Sequence, residues 1–142
     1  MSEDVYSFAF YKQLTMARKR TTVVKELDRE FSVFIRKRDS DENGYITCVS
    51  CKKKVHWTKA NNCHFADRGH YATRWDEENC NAGCVSCNGF DKGFHIFHYS
   101  KFLDEKYGEG TAEKLLRISR FAVKFTTQEL EEKITYYKSL NE

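Results

Sequence analysis

Residues 48–51 read CVSC, and residues 63–88 read CHFADRGHYATRWDEENCNAGCVSCN, closing on a second CVSC at 84–87. Each Cys-x-x-Cys pair can present two thiolates to one ion, so Cys48, Cys51, Cys84 and Cys87 together fill a tetrahedron. Four sulfurs in that geometry select Zn²⁺ and leave no open position, which makes the expected metal structural. A redox-active pair would sit in a βαβ pattern and would not need a second pair; iron–sulfur ligation is the other thiolate reading. The 32 residues from 52 to 83 exceed the span of a plain zinc ribbon, so the ion is expected to clamp the ends of a long insert. Cys63 and Cys80 have no partner at ligand spacing and are expected to be buried free thiols.

Around this stretch the composition describes one compact domain. The chain has 142 residues, 40% hydrophobic and 15% aromatic, which is too much apolar payload for a disordered segment. A mean hydropathy of -0.72 and the absence of any long apolar run exclude a membrane-spanning helix. The first twenty residues show no apolar core of a signal peptide, so the expected location is the cytoplasm. The net charge is only +3, yet residues 1–38 carry nine basic against five acidic side chains. Any polyanion would be held by local patches, and Arg18-Lys-Arg20, Arg36-Lys-Arg38 and Lys52, Lys53 and Lys54 are candidates for backbone contact.

Periodicity places the helices. Val24, Leu27, Phe31, Phe34 and Ile35 recur at helical spacing over residues 22–38. The cluster at 39–44 predicts a turn; it begins like a calcium loop but carries Ser50 where the twelfth-position acid would stand. Two short strands are expected over 45–57, around the first cysteine pair. Residues 61–93 lack sustained periodicity and need an external organiser. Phe94, Phe97, Phe102, Leu103 and Tyr107 predict a helix that stops at Gly108 and Gly110, and a shorter helix is expected over 112–119. Thr126-Thr-Gln-Glu129 forms a capping box ahead of a helix whose stripe is Leu130, Ile134, Tyr137 and Leu140.

The insert holds catalytic residue types in a metal-rigidified frame. A neutral imidazole near pH 7 can activate water, and a divalent cation can take up charge on the leaving oxygen. His64, Asn79 fifteen residues later and Cys84-x-x-Cys87-Asn88 resemble the HNH motif (His-Me finger, ββα-metal) in its H-N-N form, which endonuclease VII-type phage enzymes carry with zinc knuckles. The closer resemblance is to the phage recombination NinG (Rap) family. It runs over residues 31–137, through FSVFIRKRDSDENGYITCVSC, the stretch at 63–88, FLDEKYGEG and TTQELEEKITYYK. It implies a Mg²⁺- or Mn²⁺-dependent endonuclease acting on branched recombination intermediates such as Holliday junctions and D-loops, leaving 5′-phosphate and 3′-hydroxyl ends.

By that resemblance His64 is the general base at the end of the first strand. Asn79 holds backbone around it, and Asn88, early in the following helix, offers its amide oxygen to Mg²⁺. The endonuclease VII pattern has an aspartate ligand where this chain has Cys63, and a thiolate is a poor partner for Mg²⁺. Asn61, Asn62, Asp67 and Asp91 are the substitutes at hand, or substrate phosphate completes the shell. Arg68, His70 and Arg74 are expected on the loop of the ββα unit, where arginines can grip phosphates and His70 is an alternative base. His56, His95 and His98 are read as structural, and Trp57 and Trp75 as packing residues.

The expected architecture is therefore α+β, a zinc-stapled ββα-metal core with flanking helices. Residues 1–22 form an N-terminal extension and 23–142 a single nuclease domain, with its core at 45–93 and C-terminal helices over 94–142. Branched DNA is the expected partner, with recombination proteins as further candidates. A homodimer is attractive because a junction has two strands to cut, although core packing explains the terminal helix stripes equally well. Two alternatives remain: an HNH enzyme that restricts or nicks ordinary duplex, and a noncatalytic zinc module that binds DNA or protein.

Overall fold

The computed structural model describes residues 18–89 and 91–142, so the expected extension lies outside the described residues except for its last five. Helix α1, Arg20–Arg38, buries Val23, Leu27, Phe31 and Ile35. Spacing of four residues stacks these side chains on one face, and burying each contributes about 1.5–3 kcal/mol of transfer free energy. The centre of the stripe is Val23 rather than Val24, which with Phe34 flanks it partly buried. Arg36, Lys37 and Arg38 occupy the last turn, where cations offset the negative end of the helix dipole.

The expected turn follows. Asp41 Oδ1 accepts from the backbone N–H groups of Asn43 and Tyr45 at 2.9 and 3.0 Å. Gly44 has φ +85°, and a Cβ there would lie 2.8 Å from the His56 ring, so both conformation and space demand glycine. Strands β1, Tyr45–Thr47, and β2, Lys54–His56, form an antiparallel hairpin that pairs Ile46 with Val55 and carries the first cysteine pair in its turn.

The middle third contains a second antiparallel hairpin. Strand β3, Asn61–His64, pairs with β4, Cys80–Gly83, so that His64 faces Cys80 and Asn62 faces Ala82. The loop between them carries the one-turn helix α2, Tyr71–Arg74. Helix α3, Val85–Gly89, follows β4 directly. Strands this short, covered on both faces, leave no period to read in the sequence. One face packs, through Cys80 and with Trp75, against α1 and the last helix. The other packs, through Cys63, against Val49, Phe65, Tyr99, Leu103 and Leu115.

Three helices complete the chain: α4, Lys92–Tyr107, α5, Thr111–Ser119, and α6, Thr127–Asn141. Glycine stops α4, with Gly108 at φ +114° and Gly110 at +91°. The buried face of α4 is His95, Tyr99 and Leu103. Phe94 and Phe97, expected in the apolar stripe, are 44% and 56% exposed; Tyr99 and Leu103 seat the helix on the β3–β4 hairpin and turn those rings outward. The capping box at Thr126 and Glu129 forms, and Leu130, Ile134 and Tyr137 pack on α1. Phe31 and Tyr137 meet edge to face at 4.9 Å. Leu140, expected in the same stripe, is 48% exposed; the last turn meets α1 through Asn141 instead, whose Nδ2 donates to the Glu30 carbonyl at 2.9 Å. The fold is a mixture of helices and small sheets, and no helix among the described residues is long and apolar enough to cross a membrane.

Candidate metal centre and cleft

The turn of the β1–β2 hairpin and the β4–α3 junction bring the four cysteines together. The ligand atoms of Cys48, Cys51, Cys84 and Cys87 all lie within 4.8 Å of one another. Cys51 Sγ and Cys84 Sγ are 3.8 Å apart, close to the ~3.8 Å edge of a tetrahedron with metal–sulfur bonds of about 2.3 Å. Backbone N–H groups of Ser50 and Cys87 point at Cys48 Sγ and Cys84 Sγ, each at 3.5 Å. Burial opposes ionisation of Cys48, yet backbone N–H groups of Cys84, Cys51 and Ser50 outweigh it and bring its thiol down to about 7. Such a cluster can hold one zinc ion. Cys63 and Cys80 are buried free thiols outside it, and burial raises both above their ordinary range. A Cβ on Gly83 would lie 2.7 Å from Cys63 Sγ, so a glycine there lets the second cysteine pair pass over the sheet.

Along β3, between α1 and the α3–α4 pair, runs a cleft of about 760 Å³. Asp28, Ser32 and Arg36 of α1 line one side, Asn61, Asn62 and His64 the floor, and Asp67 and Arg68 one end. Asn88, Lys92, His95 and Ile96 close the other side. His64 and Asn88 thus share one cleft although 24 residues separate them in sequence.

His64 is oriented by backbone. Its Nε2 lies 2.9 Å from the Arg74 carbonyl oxygen. A carbonyl can only accept, so Nε2 carries the proton and Nδ1 keeps its lone pair. Burial lowers the pKa of the ring below its ordinary value, with the Arg74 carbonyl and Asp28 opposing, so it is neutral at pH 7. The Arg74 carbonyl is itself fixed. Arg74 Nε and Nη2 grip the Asp28 carboxylate at 3.0 and 2.6 Å, and Trp75 Nε1 donates to the same carboxylate at 3.0 Å. The guanidinium of Arg74 is therefore committed to α1, and the expectation that it grips phosphate gives way to a positioning job.

Asn79 is fully buried. Its Oδ1 accepts from Ala66 N–H at 2.7 Å, and its Nδ2 donates to the Ala66 and Thr73 carbonyls, both at 3.0 Å. The carboxamide ties the loop together beneath His64. Asn79→Ala would orphan two backbone groups of Ala66, and we expect a loss of about 2–4 kcal/mol in chemical denaturation with zinc content retained. Tyr99, from α4, adds a second tie: its hydroxyl sits 2.7 Å from the Cys63 carbonyl and 3.1 Å from that of Asn79.

The remaining candidates divide. Arg68 is exposed and lines the cleft; His70 is exposed and does not. Lys52 and Lys53 lie on the first cysteine turn and Lys54 opens β2, and none of the three lines the cleft. Lys52 Nζ donates to the Val49 carbonyl at 3.2 Å, and Lys54 pairs with Asp41 at 3.6 Å. Arg38 is a strut, bonded to Asp39 and to the Glu77 and Cys80 carbonyls. Cys63 points into the core, opposite to His64, and offers nothing to the cleft. Of its substitutes, Asn61, Asn62 and Asp67 line the cleft, whereas Asp91 caps α4 by accepting from Phe94 N–H. The Oδ1 of Asn62 is buried with no hydrogen-bond partner among the described residues. Asp28, Lys92 and Tyr99 escaped the sequence reading because no local motif marks them.

Among known proteins, the chain matches the family model described as Bacteriophage Lambda NinG protein over residues 7–141. It is 29% identical over 105 residues to a protein named Protein ninG from Salmonella phage P22, covering 68% of this chain. The chain spans 45% of that relative's length. No solved structure matches it.

Proposed function

Because the chain belongs to the NinG family, we propose that it is a divalent-metal-dependent DNA endonuclease of the HNH type, acting on branched recombination intermediates. The observation that carries the reading is the His64 ring, neutral and held through Nε2 by the Arg74 carbonyl, with Nδ1 left to accept a proton inside a cleft that also holds Asn88. In this reading β3, β4 and α3 are the ββα unit, and the cysteine cluster is its structural zinc site.

The chain's own residues divide the work. His64 Nδ1 takes a proton from the attacking water, and the Arg74 carbonyl stabilises the imidazolium that results. Arg68, Arg36 and Lys92 supply positive charge to phosphates, against Asp67 and an Asp28 already matched by Arg74. The donor set suits a hard cation: Asn88 and Asn62 offer amide oxygens, Asp67 a carboxylate, and the unpartnered Asn62 Oδ1 is the group a ligand would satisfy. When bound, Mg²⁺ supplies charge neutralisation at the scissile phosphate. Two amides and one carboxylate hold such an ion weakly, so DNA phosphate is expected to complete its shell.

The test is cleavage of a four-way junction, a flap, a D-loop and a linear duplex of matched sequence, with and without Mg²⁺. We expect metal-dependent cutting of the branched substrates at ten or more times the rate of the duplex, on the order of the discrimination that about 1.4 kcal/mol provides. Equal rates would make the enzyme a general duplex nuclease. Binding without cutting of any substrate would leave a zinc module without catalysis.

A further inference from the structure

The sequence alone marks His95 as a structural histidine, and its surroundings say more. It lies on the cleft wall formed by α3 and α4 with Asn88 and Lys92, and only 4% of its surface is exposed. Its Nδ1 contacts the hydroxyl of Ser50, which is itself 3% exposed and lies inside the first cysteine turn. At the far edge of the ring, Nε2 is buried and has no hydrogen-bond partner among the described residues. A buried polar atom without a partner is costly, and one that persists in a native fold calls for a water, an ion or a ligand to satisfy it.

The Ser50 contact decides what Nε2 offers. The hydroxyl has one proton and two acceptors within reach, His95 Nδ1 in short contact and the His95 carbonyl at 3.4 Å. Its donation to the nearer ring nitrogen is part of the proposal. Nδ1 is then an acceptor, and the ring proton must sit on Nε2, which becomes a donor. An N–H donor on a residue that lines a cleft with Arg68, Arg36 and Lys92 is suited to an anionic oxygen.

We infer that His95 is a second substrate-contacting imidazole, which donates from Nε2 to a non-bridging phosphate oxygen of DNA in the cleft, and that Ser50 is the positioning residue that fixes its tautomer. This rests on the nuclease reading only for the identity of the ligand as DNA. The first cysteine turn then has two tasks: its sulfurs staple the fold, and its serine sets the hydrogen-bonding sense of a residue 45 positions away. His64 and His95 share the Nε2–H tautomer and differ in which nitrogen is left without a protein partner: Nδ1 of His64, a lone pair that can take a proton, and Nε2 of His95, a proton that can meet an oxygen.

The experiment uses the full chain, zinc-loaded and ¹⁵N-labelled at histidine, titrated with a four-way DNA junction without added Mg²⁺. The His95 ring is expected to show the Nε2–H tautomer, with its Nε2 resonance shifting on saturation. His95→Ala is expected to weaken junction binding by about tenfold, the effect of losing one hydrogen bond to a charged oxygen. His95→Gln, which keeps an N–H donor, should recover most of that loss. Ser50→Ala should mix the two tautomers while zinc content is kept, a spectroscopic change that loss of packing alone would not produce.

An Nε2 resonance that stays in place at saturating DNA would overturn the inference. So would binding by a folded, zinc-loaded His95→Ala protein within twofold of the wild type. If His95→Ala does not fold, the wild-type resonance and His95→Gln still decide. A protein that engages DNA through Nε2 but never cuts with Mg²⁺ sinks the nuclease reading and leaves this one standing. One that cuts with Nε2 silent does the reverse.

Discussion

Cys84→Ser is expected to cost the protein its metal and its fold together. The cysteine cluster joins the β1–β2 turn to the β4–α3 junction, segments otherwise held by short strands of three and four residues. Hairpins of that length are marginal in water on their own. Structural zinc contributes about 10–16 kcal/mol in small metal-stapled peptides, which matches or exceeds the ~5–15 kcal/mol that keeps a whole domain folded. The variant should carry no zinc by elemental analysis, where the wild type is expected to carry one ion per chain, and should melt without a cooperative transition. A chelator should do the same to the wild type. Cys80→Ala provides the control, because Cys80 is fully buried in the α1–α6 core and is not part of the cluster. It should keep its zinc and lose the packing of one sulfur together with its S–H contact to the Arg74 carbonyl. A Cys84→Ser protein that melts cooperatively near the wild-type temperature would show that the sulfurs converge for another reason.

The second large effect concerns rate. His64→Ala should lower single-turnover cleavage in Mg²⁺ by at least ~10², the low end for removing a positioned general base. Its fold should survive, since the ring lies at the cleft and its one hydrogen bond goes to a carbonyl that Asp28 and Arg74 hold independently. The pH profile supplies a separate check. Burial lowers the pKa of His64, so the neutral form that accepts a proton persists below the ordinary value of about 6.5. Activity should hold as pH falls through 6.5 and drop only below it. The same shift acts on stability. Unfolded His64 takes up its proton near 6.5 while folded His64 does not, so the unfolded state binds more protons in that window and stability rises with pH across it. A rate that falls at or above 6.5, or a His64→Ala protein that still cuts, would move the base elsewhere.

Much of the scaffold was legible because its signals are local. The α1 stripe, the turn ending at Gly44, the stop at Gly108 and the capping box at Thr126 each depend on a few neighbouring residues and elementary geometry. The aromatic residues of α4 misled. Helical spacing alone could not tell that Tyr99, rather than Phe94 or Phe97, faces the hairpin, because all three share one type and lie within six residues. The 61–93 segment was opaque for a different reason: its strands are four residues long and covered on both faces, so no alternation survives.

The cysteine spacing by itself determined that four thiols would converge, because two tight pairs on one ion is a constraint that chemistry imposes whatever the rest of the chain does. Periodicity likewise determined where the long first, fourth and last helices would lie, since only the residues within a few turns decide it. Only the tertiary structure decided which way polar side chains face and what they meet. It turned Arg74 from solvent onto Asp28, 46 residues away in sequence, sent Cys63 into the core, and put Ser50 against His95. A hydrogen bond needs two partners at fixed distance and angle, and a linear sequence fixes neither until the chain between them has folded.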